Sequence, residues 1–168
     1  MKRISINLSI ARSAGNAVSQ KGGDASSLAQ DVKQKILERD AYSCKCCGFS
    51  AKKYQEVYKV SGEVSDHRPE NYATLCIFCH QCFSLDLVSI MRSGVLIWLP
   101  EIAQADLHHM VRAIYVARIS QGPIAEAARK ALDVLMARRE EVSKRLGTDD
   151  PYILASVLRD YIGGKHYE

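Results

Sequence analysis

Apolar and polar residues alternate over Ile4, Ile6, Leu8 and Ile10, which predicts a half-buried strand. The Gly-, Ser- and Ala-rich stretch from Ser13 to Ser27 reads as a loop. Ser26 or Ser27 then caps a predicted helix running to Asp40, with Leu28, Val32, Lys35, Ile36 and Arg39 along one stripe. Residues 54–60 and 94–99 have the β-branched and aromatic content of strands, the second bounded by Gly94 and Pro100. From Glu101 onward the period becomes helical. A helix over 103–120 aligns Leu107, Met110 or Val111, Ile114 and Ala117, and Gln121-Gly122-Pro123 breaks it. One helix is predicted from Ile124 to Leu146, through Ala128, Ala131, Leu135 and Val142, with Gly147 ending it. Glu140/Lys144 and Glu141/Arg145 form i,i+4 pairs on its exposed face. Asp149 or Asp150 caps a last helix with Pro151 in its first turn, ending near Ile162. These stripes read as packing faces, and the sequence carries no internal repeat.

Composition narrows the class. The chain has 168 residues, of which 47% are hydrophobic and 25% charged, so global disorder is excluded. The excess of 23 Lys+Arg over 19 Asp+Glu leaves a net charge of +4. It is spread along the chain: residues 1–40 carry 7 basic and 4 acidic groups, 41–99 carry 6 and 5, and 100–168 carry 10 and 10. A phosphate-binding surface concentrates its positive charge, and this chain does not, which argues against nucleic acid as a partner. No apolar run approaches the roughly 20 residues of a membrane span, and MKRISINLSIARS is not the solid apolar block of a signal peptide. The reading is a cytoplasmic protein of the α+β class, a single domain over 1–168 with a small ββα zinc-binding module at 28–99 and a helical region at 100–162.

All six cysteines lie between Cys44 and Cys82, as Cys44-Lys45-Cys46-Cys47 and Cys76-Ile77-Phe78-Cys79-His80-Gln81-Cys82. Without a secretion signal, thiols stay reduced and a disulfide framework is disfavoured. Two C-x-x-C pairs separated by 28 residues suit a structural zinc ion held by Cys44, Cys47, Cys76 and Cys79. Gly48 permits the chain to turn under the metal. Cys79 and Cys82 are an equally well spaced pair, so the second half of the ligand set stays open, with Cys82 as competitor to Cys76. Cys46 reads as a packed thiol between better-placed ligands.

The histidines divide by context. His80, directly after Cys79, is either a metal-site residue or a polar residue on a short helix. His108 and His109 diverge by about 100° around their helix, which disfavours a shared metal. His67, in a loop, reads as solvated, and His166 lies near the chain end.

The segment from Arg39 to Phe49 (RDAYSCKCCGF) and the segment from Arg68 to His80 (RPENYATLCIFCH) resemble the zinc-stabilised HNH endonuclease module. In that family a His on the hairpin activates water. Aligning Glu56-Val57 with the residues that lead into it places the position at Tyr58 or Lys59, and neither is His. Protonated Lys does not serve as a general base without a large pKa shift. A narrower resemblance runs from QKILERD (34–40) through Cys79-His80-Gln81-Cys82-Phe83, GVLIWLPE (94–101), QADL (104–107) and Asp149-Asp150-Pro151. On these elements the chain is similar to the DotN (IcmJ) family of the Dot/Icm type IVB secretion systems. The resemblance implies an HNH-like zinc fold without nuclease activity. It also implies a role as adaptor in the coupling protein complex, peripheral to the inner membrane. The implied partner is the cytoplasmic C-terminal tail of the DotL-type coupling ATPase, and no catalytic residue is expected. The alternatives are an HNH-type nuclease with an altered metal site and a non-catalytic DNA-binding protein. Phe49, Tyr54, Phe83 and Trp98 are the candidate anchors for the tail, each with a core role as its competing reading.

Overall fold

The computed structural model describes residues 3–10, 23–24, 28–60 and 67–162, and the architecture is α+β. Helix α1 (Gln30–Arg39) buries Ile36 against Val57 and Tyr72, with Leu28, Val32 and Leu37 around it. Lys35 of the expected stripe is instead exposed, 4.0 Å from Asp31. The helix starts after Ala29, which offers no side-chain cap; Ser26 and Ser27 lie outside the described residues.

Strands β1 (Gly23–Asp24), β2 (Gln55–Lys59) and β3 (Tyr72–Cys76) form an antiparallel sheet in that order. Val57 faces Thr74 and Tyr58 faces Ala73 across β2 and β3, while Gly23 faces Lys59. β1 corrects part of the loop expected over 13–27, because its two residues are strand through main-chain pairing to β2. β3 is buried at every position, so it has no polar alternation to betray it. It runs directly into α2 (Ile77–Cys82), completing a ββα unit, and α3 (Leu85–Ile90) follows.

The C-terminal half comprises α4 (Gln104–Arg118), α5 (Pro123–Ala137), α6 (Arg139–Leu146) and α7 (Pro151–Ile162). Leu107 and Ile114 of α4 pack on Ala128 and Leu135 of α5, and α7 lies against α3. Gly147 ends α6 at φ +76, a left-handed conformation that an L side chain adopts only with strain. Asp150 Oδ1 accepts the Tyr152 N–H at 2.8 Å and so opens α7.

Three expectations are corrected. Residues 4–10 are extended but form no strand: the Ile4 N–H donates to Lys45 O and the Ser9 N–H to Cys82 O, so the segment is a strap that presses Ile4 and Ile6 onto the cysteine cluster. Residues 94–99 are likewise extended without joining a sheet. Leu96 N–H donates to Asp149 O and Trp98 N–H to Arg138 O, both carbonyls near helix termini. The helix expected over 124–146 is two, α5 and α6, which meet at Arg138, where the ladder tightens to an i−3 bond from the Arg138 N–H to Leu135 O.

Candidate metal centre

The first C-x-x-C pair sits in a tight turn. Cys44 N–H donates to Phe49 O at 2.9 Å, Gly48 N–H donates to Cys44 O at 2.8 Å, and Gly48 takes φ +80. Lys45 N–H donates to Thr74 O at 2.8 Å, which fastens this turn to β3. The second pair straddles the β3–α2 junction, with Cys76 ending the strand and Cys79 in the first helical turn. The pairs converge. The sulfurs of Cys44, Cys47, Cys76 and Cys79 all lie within 4.8 Å of one another, and all four residues are buried. Cys47 Sγ and Cys76 Sγ are 3.7 Å apart, close to the roughly 3.8 Å edge of a tetrahedron with 2.3 Å zinc–sulfur bonds. The donor set therefore fits a thiophilic ion, and these four cysteines could hold a metal.

The protonation pattern reflects the crowding. S–H groups of the neighbours, Cys46 first, push the Cys44 thiol far down, while Cys79 is pushed up, first by its bond to Cys44. Sulfurs this close resist ionising together unless a cation compensates them. Cys46 and Cys82 are buried but outside the four-sulfur group. Each thiol is raised to about 12, Cys46 chiefly by its bond to Cys44 and Cys82 by burial.

Helix α4 supplies a side of this centre that the sequence reasoning missed. Arg112 Nη2 donates to Cys76 Sγ at 2.7 Å, and Nη1 lies 4.0 Å from Cys47 Sγ. Its guanidinium sits between two rings, 4.1 Å from the Phe49 centroid and 4.7 Å from that of Phe78. One turn earlier, His108 Nδ1 lies 3.2 Å from Cys79 Sγ, and His109 Nε2 lies 2.9 Å from Cys47 O. The Gln104 amide N, which only donates, is 2.9 Å from His108 Nε2, so that nitrogen is the acceptor and Nδ1 carries the proton toward Cys79. Burial, then the Arg112 charge, holds the His108 imidazole neutral, at about 4. His108 and Arg112 are four residues apart and share a helix face.

The HNH-type positions are also placed. Tyr58 is buried in β2, with its ring edge-on to His80 at 5.9 Å and stacked on Phe83 at 4.9 Å. The hairpin thus presents a phenol to His80 where the resemblance would require imidazole. His67 is exposed, with Nδ1 3.4 Å from the Tyr72 hydroxyl. Of the candidate anchors, Phe83 is buried and Phe49 is half-buried beneath Arg112. Tyr54 is 75% exposed and Trp98 37%, the latter under the Arg145 guanidinium at 4.5 Å.

No protein-family model matches the chain. Among curated proteins it is 33% identical over 135 residues to the type 4 apparatus protein DotN of Legionella pneumophila subsp. pneumophila, a match covering 78% of this chain and 63% of that relative. This similarity supports the DotN family for the chain. It spans a little less than two thirds of the DotN relative's length. The match is long enough to take in both the cysteine region and much of the helical half. Among the described residues, no helix is long and apolar enough to cross a membrane.

Proposed function

We propose that this protein is a non-catalytic, zinc-stabilised adaptor subunit of a type IVB secretion coupling complex. In this reading it is cytoplasmic, a single domain over 1–168 whose module at 28–99 and helical region at 100–162 act as one body. It binds the C-terminal tail of a DotL-type coupling ATPase and reaches the inner membrane only through that partner. The observation that carries the reading is the similarity to a type 4 apparatus protein over 78% of the chain, supported by the four-sulfur cluster.

Cys44, Cys47, Cys76 and Cys79 are the proposed ligands of a structural zinc ion. When bound, the ion supplies a cross-link between the first turn and the β3–α2 junction. The residues around it do the remaining work: Lys45 docks the turn on β3, and Arg112 and His108 hold the sulfurs from the helical side.

The lack of catalysis is supported by Tyr58, which occupies the hairpin position facing His80. A phenol with an ordinary pKa near 10 is not a general base at neutral pH. Co-purification with a coupling ATPase tail tests the adaptor role. A stable, stoichiometric complex is expected; failure of the zinc-loaded protein to bind any part of the tail would refute it.

A further inference from the structure

We infer that α4 completes the metal centre from outside, with Arg112 and His108 as positioning residues that donate to the metal-bound thiolates, so that metal retention depends on these two donors. The inference rests on the zinc reading above and deepens it.

Four thiolates around a divalent ion leave net negative charge, and this charge is buried. Buried charge is costly unless it is paired or hydrogen-bonded. Arg112 brings a permanent cation to the place where it is needed, 2.7 Å from Cys76 Sγ. The contact is built from both sides. Phe49 follows the first cysteine pair and Phe78 lies inside the second, and their rings flank the guanidinium. Against a buried sulfur a charge-assisted hydrogen bond is worth more than at the open surface. His108 adds a donor to a different sulfur, Cys79 Sγ, and the Gln104 amide sits at its other ring nitrogen. His109, on the neighbouring face, reaches Cys47 O. Three sites of the cluster thus receive donors from two turns of one helix. A helix packed there for apolar burial alone would not align a cation and an imidazole on the sulfurs.

The test uses the full chain loaded with zinc and measures metal release to an excess of the chelator 4-(2-pyridylazo)resorcinol. Arg112→Met keeps the packing between the rings and removes charge and donors; Arg112→Lys keeps the charge and loses the planar fork. Leu135→Ala, in the α4–α5 core away from the sulfurs, is the control for destabilisation alone. At a temperature where all remain folded, Arg112→Met should release zinc about 10- to 100-fold faster than wild type. Arg112→Lys should fall between the two, and Leu135→Ala should stay near wild type. Cobalt(II) substitution gives a second readout, because losing an N–H···S bond shifts the thiolate-to-metal charge-transfer band. Release from Arg112→Met no faster than from Leu135→Ala overturns the inference while leaving the zinc reading intact. Should Arg112→Met not fold, a wild-type band and release rate in Arg112→Lys overturns it equally. A wild-type protein that takes up neither zinc nor cobalt refutes the metal reading itself, and the inference falls with it.

Discussion

The Asp40 carboxylate, just beyond the end of α1, accepts the main-chain N–H of Thr74 in β3 at 2.9 Å. It is 3% exposed and also receives Lys45 Nζ at 2.8 Å and Arg39 Nε at 3.0 Å. Arg39 in turn donates to Pro69 O and Tyr72 O at 2.8 and 2.7 Å. The Arg-Asp pair that opens the HNH-like motif is therefore a structural clamp. It ties the helix before the first cysteine pair to the strand before the second, and so sets the distance between the two halves of the metal centre.

This clamp has a pH signature. Burial raises the Asp40 pKa, but the bonds from Arg39, Lys45 and Thr74 outweigh it and hold the carboxyl at about 2, below its ordinary 3.8. A depressed folded-state value stabilises the fold above the unfolded pKa, and that contribution disappears as pH falls from about 4 through about 2. Asp40→Asn should cost about 2 kcal/mol at pH 7, with the deficit narrowing across that acid window. Urea melts of both proteins at matched pH provide the measurement, since metal loss common to both cancels. A deficit that stays constant from pH 7 to pH 2 would contradict the assignment.

Cys44→Ser and Cys76→Ser should lose zinc and stability together, because binding energy at a structural site is folding energy. Cys46→Ser and Cys82→Ser should retain full zinc, since both sulfurs lie outside the four-sulfur group. Atomic emission on purified variants decides this. Loss of metal from Cys46→Ser or Cys82→Ser would mean that the ligand set is different.

Wild-type protein should not nick plasmid DNA in Mg²⁺, Mn²⁺ or Ni²⁺, because Tyr58 faces His80 and no hairpin imidazole is available there. Metal-dependent nicking that His80→Ala abolishes would favour the nuclease instead.

The candidate anchors should separate by burial. Phe83→Ala removes a ring stacked on Tyr58 in the cysteine core and should cost roughly 3–5 kcal/mol. Tyr54→Ala, at a mostly exposed ring, should leave stability within about 0.5 kcal/mol while weakening capture of the ATPase tail. Thermal melts alongside binding assays check both, and full tail affinity in Tyr54→Ala would remove that residue from the interface.

Local chemistry alone determined much of this protein. The two C-x-x-C pairs announced a metal centre, because short thiol spacings have few other uses in a reduced chain. Gly147 and Asp150 marked helix ends, because a left-handed cap and an N-cap are properties of single residues. Helical periodicity likewise marked α4, whose apolar positions repeat within one element. What the tertiary structure decided was pairing between distant segments. β1 is strand because β2 lies beside it, and β3 is buried throughout and shows no alternation. Residues 4–10 and 94–99 have strand composition, yet their hydrogen-bond partners are turns and helix ends rather than strands. The break at Arg138 has no Gly or Pro behind it and shows as an i−3 bond from its N–H to Leu135 O. The same holds for Arg112 and His108: nothing local in α4 speaks of sulfur, and only the fold carries them across 36 and 29 residues to Cys76 and Cys79.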